Sequence, residues 1–263
     1  MKFDYVDDFR EGFAVVRKDN KSNFINTDGK LLCDEWFDYA RFFYNGFCIV
    51  EKNFKRNFIN TDGKLLCEKW FDRVWDFQEG FAVVKEREKY AFIAEDGKIL
   101  NGTWFDYAYD FRDGLAAVRK DDKGNFLKTD GTYLSEEWFD HAWDFHEGFA
   151  VVGKDGKWNF INSDCVYLSD EWFDFALGFH EGFSRVSRGD KSNFIKKDGT
   201  LLCEEWFDCT WDFYKGFAVV REGNDFCDLK YNIVNTNGKL VFKKWYASVI
   251  TLERAAKRIG ICG

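Results

Sequence analysis

Glycine recurs every 34 residues along this chain, at Gly12, Gly46, Gly80, Gly114, Gly148, Gly182 and Gly216. A tryptophan-led motif, W-F-D, keeps the same step at Trp36, Trp70, Trp104, Trp138, Trp172 and Trp206. A unit of that size cannot bury its apolar side chains alone and must stack on its neighbours, so the period dictates an array of equivalent units rather than one closed core. Aromatic residues supply the material for stacking, with 31 Phe and 11 Trp among 263 residues.

The unit from Trp138 to Glu171 shows what each repeat folds into. Phe149-Ala150-Val151-Val152 is an apolar, β-branched run, and Lys154-Asp155-Gly156-Lys157 after it is turn-prone. That order predicts a strand, a hairpin turn and a partner strand over Trp158-Asn159-Phe160-Ile161-Asn162. A second turn follows, usually spelled T-D-G-K as at Thr27-Asp28-Gly29-Lys30, where glycine accepts positive φ and aspartate bonds back to the backbone. Cys165 stands where that glycine belongs, which predicts strain or a different turn. The W-F-D-x-A-x-D-F stretch reads as extended. Strict alternation there would place Phe37, Tyr39 and Phe43 on one side and Trp36, Asp38 and Ala40 on the other.

Four columns of phenylalanine, headed by Phe37, Phe43, Phe47 and Phe58, form a packing ladder, since stacked units need the same ring at the same place each time. The aspartate of W-F-D, at Asp4, Asp38, Asp72, Asp106, Asp140, Asp174 and Asp208, is expected to accept backbone N–H groups in a following turn; one such group per unit is thin for calcium. Glu11, Glu79, Glu147 and Glu181, each before a repeat glycine, read as a solvated face.

These readings give an all-β chain of tandem 34-residue hairpin or three-stranded units over residues 1–246, the last with a five-residue insertion near Phe226. A short C-terminal capping helix and tail follow over 247–263, with Leu252, Ala255, Ala256 and Ile259 on one face. An open array or superhelix is expected. A closed seven-bladed, propeller-like ring is the alternative, because the chain starts and stops at about the same phase of the unit.

The order F-x-E-G-F-A-V-V, K-D-G-K, x-N-F-I-N-T-D-G-K resembles the bacterial WG-containing, or KWG, repeat family across residues 1–246. The eponymous Trp-Gly is replaced by Ser22-Asn23, Arg56-Asn57, Tyr90-Ala91, Gly124-Asn125, Trp158-Asn159 and Ser192-Asn193, which marks a divergent branch. The resemblance implies a β-rich repeat protein acting through protein interaction.

The chemistry of an enzyme is missing from the sequence. Its three histidines lie in variable columns, and no nucleophile–His–acid set, phosphate loop or metal spacing occurs, so no catalytic residue, cofactor or metal is expected. The eight cysteines contain no C-x-x-C pair, and three share a column with serine (Cys33, Cys67 and Cys203 beside Ser135 and Ser169), which favours free thiols and a reducing, cytoplasmic setting. The first residues enter the repeat at once, with no signal peptide expected. A net charge of −8 with interspersed signs argues against nucleic acid, and no apolar stretch is long enough to span a membrane.

Function is sought where the repeat varies. The column after W-F-D runs Tyr39, Arg73, Tyr107, His141, Phe175 and Cys209; two residues on it runs Arg41, Trp75, Tyr109, Trp143, Leu177 and Trp211. Tyr39, Arg73, Trp75, Tyr107, Tyr109, His141, Trp143, Phe175 and Trp211 are therefore the candidate interaction face, for a protein partner or alternatively a glycan. Rings separated by open slots would favour sugar; a flat or partly buried stripe would favour protein.

Overall fold

The computed structural model describes residues 2–223 and 228–261. It holds seven three-stranded antiparallel sheets in tandem and a single α-helix among those residues. Two compact units contain them: Met1–Asp122 with Phe126–Tyr133, and Lys123–Asn125 with Leu134–Gly263. The first three sheets fall in the first unit and the last three in the second.

The second sheet shows the pattern. Tyr39–Ala40 is a short first strand, and Phe47–Lys52 and Lys55–Asn60 form the hairpin. Tyr39 pairs with Glu51 and Ala40 with Val50, while the hairpin register runs from Phe47 opposite Asn60 to Lys52 opposite Lys55. Asn53 and Phe54 close it with φ of 53° and 61°. Two successive left-handed residues make the primed turn whose twist matches the strands.

The W-F-D segment is extended, as expected, but its faces do not alternate. Phe37 exchanges backbone hydrogen bonds with Ser22 of the preceding hairpin, at 2.7 and 2.9 Å. Asp38 and the strand after it bond instead to the next hairpin, beginning with the Asp38 N–H to the Glu51 carbonyl at 2.8 Å. The segment crosses from one sheet to the next, so its pleat is interrupted at Asp38. Phe37 and Ala40 are both buried and Tyr39 is exposed, which corrects the alternating assignment.

The phenylalanine ladder is a knob and a hole. Phe43 inserts against Phe13 and Phe24 of the preceding repeat at ring-centroid distances of 4.8 and 5.0 Å. Phe77 meets Phe47 and Phe58 at 4.6 and 4.9 Å, and Phe213 meets Phe183 and Phe194 at 4.2 and 5.0 Å. Each ring is buried by the unit next to it, with roughly 1.5–3 kcal/mol per buried side chain. That is the physical reason the column does not vary.

Asparagine holds the rest of the unit. Asn57 is fully buried; its Nδ2 donates to the Cys67 carbonyl at 2.7 Å and its Oδ1 accepts from the Phe58 N–H at 2.7 Å. Asn23, Asn159, Asn193 and Asn232 repeat both bonds ten residues and one residue ahead. The third repeat has Ala91 there, and the loop supports itself: Asn101 and Gly102 adopt φ of 47° and 67°, and Asn101 Oδ1 accepts the Thr103 N–H.

The T-D-G-K turns divide their labour. Asn26, Asn60, Asn162 and Asn235, at the end of the hairpin, accept two N–H groups each. Where that position is Ala94, Lys128 or Lys196, the turn aspartate (Asp96, Asp130, Asp198) accepts in its place. Glycine is needed for more than its φ: a Cβ on Gly63 would lie 2.5 Å from the Leu32 carbonyl oxygen of the preceding repeat. Cys165 keeps the same turn with φ of 64°, its N–H donating to Asn162 O at 3.1 Å, so the misfit is absorbed as strain.

The helix runs Val249–Arg258, with Ser248 accepting the Thr251 N–H as its N-cap. Leu252 and Ala256 pack with Ile233 of the last sheet, joined by Phe217, Val219 and Ile261. Ile259 departs from the face read in the sequence: it is the C-cap, beyond the last helical turn, and is exposed. Residues 224–227, including the Phe226 of the insertion, and residues 262–263 lie outside the described part.

Candidate interaction face

The register of each sheet aligns three residues in a row on its outer side. In the second sheet the row is Tyr39, Glu51 and Arg56; in the third it is Arg73, Lys85 and Tyr90. The fifth carries His141, Gly153 and Trp158, the sixth Phe175, Ser187 and Ser192, and the seventh Cys209, Arg221 and Tyr231. Cross-strand neighbours stand close enough to interact. Arg56 Nε lies 2.9 Å from Glu51, and Lys85 Nζ lies 5.0 Å from the Tyr90 ring centroid.

The first unit gathers three of the candidate residues. Trp75 meets Tyr90 at 5.9 Å, Tyr90 meets Tyr107 at 5.3 Å, and Tyr107 meets Tyr109 at 4.9 Å. With Val83, Ala108 and Asp110 they line a shallow cleft of about 140 Å³. Burial, reinforced by Tyr109, Tyr90 and Asp110, pushes the Tyr107 phenol up from its ordinary value, so it remains a neutral hydrogen-bond donor. Tyr39 and Arg73 are exposed, and Arg73 shares the row of Lys85 and Tyr90 at the edge of this patch.

The second unit holds a different cluster. His141 stacks on Trp158 at 5.1 Å with 13° between the planes, and Trp143 leans on the same indole at 5.1 Å. Gly153 makes this possible, since a Cβ there would sit 3.3 Å from both His141 and Trp158. Trp211 has Tyr231 at 6.3 Å. Phe175 is exposed beside a separate cleft described below.

Sequence reading missed Tyr90, Trp158 and Tyr231, the third-strand members of these patches. Their column varies as freely as the two that were chosen, from Ser22 through Arg56 to Tyr231, and that variability was the available signal.

The glutamates before the repeat glycines are exposed, as expected, but they also bind the next repeat. The two oxygens of Glu11 accept the Asn45 and Gly46 N–H groups of the next repeat, each at 2.9 Å. Glu79 does the same for Asp113 and Gly114, and Glu181 for Lys215 and Gly216. The W-F-D aspartates accept from the hairpin turn 15 residues on, at Asp19, Asn53, Arg87, Asp121, Asp155, Gly189 and Gly223, all between 2.6 and 3.0 Å. Six of them also pair with a lysine of the preceding hairpin, from Lys21–Asp38 to Lys191–Asp208. That lysine contact, followed by the turn N–H, holds Asp38, Asp72, Asp106, Asp140 and Asp174 below the usual carboxylate range; Asp208 is lowered too, chiefly by Lys191.

Among the described residues no three His, Cys, Asp or Glu side chains gather as a metal site, and no helix is long and apolar enough to cross a membrane. Six described cysteines are free thiols. Burial pushes the Cys203 thiol to about 11 and raises that of Cys48 further, which makes both poor nucleophiles.

A sheet-forming repeat with knob-and-hole phenylalanines and an E-G turn tied to its neighbour defines a β-rich tandem repeat protein. The family model described as WG containing repeat matches residues 1–21, 24–55, 58–90, 105–123 and 139–158, five repeats across the chain, consistent with a WG-type repeat family. No curated protein matches the chain. Among solved structures it is similar to Hsv2p of Kluyveromyces lactis, at 9% identity over 88% of this chain and 93% of that one, with a TM-score of 0.37. The AfRom2 CNH domain matches at 9% identity over 93% and 96%, with a TM-score of 0.30. Likeness at such scores carries nothing about how the sheets are arranged.

Proposed function

We propose that this protein is a non-enzymatic repeat scaffold that binds a protein partner through the outer rows of its sheets. The observation that supports this is the contact between rings: Trp75, Tyr90, Tyr107 and Tyr109 form one patch, and His141, Trp143 and Trp158 another, with rings touching in each. Touching rings offer a broad apolar surface with polar rims, the composition of an interface hot spot. A sugar stacks on a ring face that no other ring covers, and here the rings cover part of one another.

The test is affinity capture with the native chain and with Trp75→Ala/Tyr109→Ala and Trp143→Ala variants of unchanged melting temperature, followed by direct titration of each captured protein. A partner that binds the native chain and loses at least tenfold in affinity to a variant supports the scaffold. Equal binding by all three chains, or saturable sugar binding abolished by Trp143→Ala, overturns it.

A further inference from the structure

The sixth sheet breaks the repeat's rules in three neighbouring places. Its outer row combines Phe175 with two serines, Ser187 and Ser192, where every other row has at least one long or aromatic side chain from the same two strands. Behind that row, Arg185 occupies the column of Val15, Ile49, Val83, Ala117, Val151 and Val219. Facing it, Thr210 occupies the column of Ala40, Val74, Ala108, Ala142 and Ala176. Elsewhere these two columns pack together as core, as Val15 with Ala40 and Val151 with Ala176 do.

The result is a cleft of about 200 Å³ whose walls include Phe175, Ser187, Ser192, Lys191, Asp208 and Thr210. The Phe175 ring stands 43% exposed at its side. Arg185, also in the wall, is held in place, with Nη1 donating to the Thr210 carbonyl at 2.7 Å and Nε 2.7 Å from Asp212. Lys191 is paired with Asp208. Thr210 is 98% buried, on a relative exposure of 2%, yet its hydroxyl has no hydrogen-bond partner among the described residues. A buried polar group in that condition costs stability until something satisfies it.

We propose that this cleft binds one ring of a neutral sugar. Serine and threonine hydroxyls both donate and accept, which suits a ligand whose own groups are hydroxyls. Arg185 is paired with Asp212 and Lys191 with Asp208, so neither cation is free to draw an anion into the cleft. Phe175 supplies the apolar face on which the C–H side of a sugar ring packs, and small-ligand sites combine such a wall with a few placed polar groups. At about 200 Å³ the cleft falls below the roughly 300–1,000 Å³ of drug-sized sites, which suits a single ring. This site is separate from the touching-ring patches, and its failure leaves the protein-scaffold reading intact.

Saturation-transfer NMR with free glucose, galactose, mannose and N-acetylglucosamine tests the assignment. At least one of them binds saturably, and Phe175→Ala weakens it tenfold or more. The double variant Ser187→Lys/Ser192→Tyr transplants the Lys85 and Tyr90 of the third sheet, so the fold accepts it, and it closes the slot and abolishes binding. Trp143→Ala leaves binding unchanged. The assignment is overturned if none of the four sugars saturates, if the double variant binds like the native chain, or if loss follows Trp143→Ala and spares Phe175→Ala.

Discussion

The inner columns and the outer rows of this protein sit on the same strands, two or three residues apart, and behave in opposite ways. Phe43, Phe77 and Phe213 hold their identity because each fills a hole made by two phenylalanines of another repeat. A change in one repeat would have to be answered in the next. The outer row runs from Tyr-Glu-Arg to Phe-Ser-Ser because its side chains fill no buried hole in the neighbouring repeat; where they meet across repeats, as Tyr90 meets Tyr107, they do so at the surface. Regularity here measures coupling between repeats, and irregularity measures freedom to meet something else.

That contrast breaks first, if it is false, at Phe77. The ring is buried against Phe47 and Phe58, and Phe77→Ala is expected to destabilise by about 3–5 kcal/mol through lost burial and the cavity left behind. Trp143→Ala on the outer face is expected to cost about 1 kcal/mol or less. Urea denaturation of both variants decides the matter, and equal losses would sink the division into coupled and free positions. Asn57→Ala comes next, at about 1–3 kcal/mol, because it strands the Cys67 carbonyl and the Phe58 N–H away from their partner. The third repeat carries alanine there only with a rebuilt loop at Asn101 and Gly102. Removing the amide without rebuilding the loop should therefore be costly, and a neutral Asn57→Ala would show that the loop needs no anchor.

How much of this was legible in the sequence follows from the same distinction. The sheets, both turns and the phenylalanine ladder could be read because each depends on a residue type that returns with the period. The glutamate of the E-G turn is exposed, as a column that tolerates Asn45, Asp113 and Lys215 indicates, but its bonding role is invisible in the sequence. Its partners are backbone N–H groups 34 and 35 residues away, which leave no side-chain signature. On the outer face, Trp75, Tyr109 and Trp143 were found as departures from the period. Tyr90 and Trp158 were passed over because their column was read only for the missing Trp-Gly. Which rings touch depends on strand register, and a list of columns does not contain it.

Cys165 offers a smaller test, with the opposite sign. It holds a left-handed φ of 64° that every other T-D-G-K turn gives to glycine. Relief of that strain is worth about 1 kcal/mol, partly offset by the greater freedom of glycine in the unfolded chain. Cys165→Gly should raise the melting temperature slightly, and a lower value would mean that the thiol makes contacts worth more than the strain.

The W-F-D aspartates lie between the two classes, since they recur in all seven sheets yet, Asp208 apart, are partly open to water. Six have carboxyls held below their ordinary range, by the lysine of one hairpin and the turn N–H of the next. A carboxyl with a lower pKa folded than unfolded stabilises the fold above its unfolded value, near 4, and loses that contribution as pH falls towards its folded value. The melting temperature is therefore expected to stay level from pH 7 to 5 and to decline below about pH 4. Because the pairs are exposed, the lysine share of the effect is screened by salt, whereas the hydrogen bonds to turn N–H groups are much less so. Repeating the pH series in 1 M salt separates them. A decline that nearly vanishes assigns these aspartates to the outer, solvent-coupled class, and one that persists assigns them to the joints between repeats. Stability that rises between pH 5 and pH 3 would contradict both.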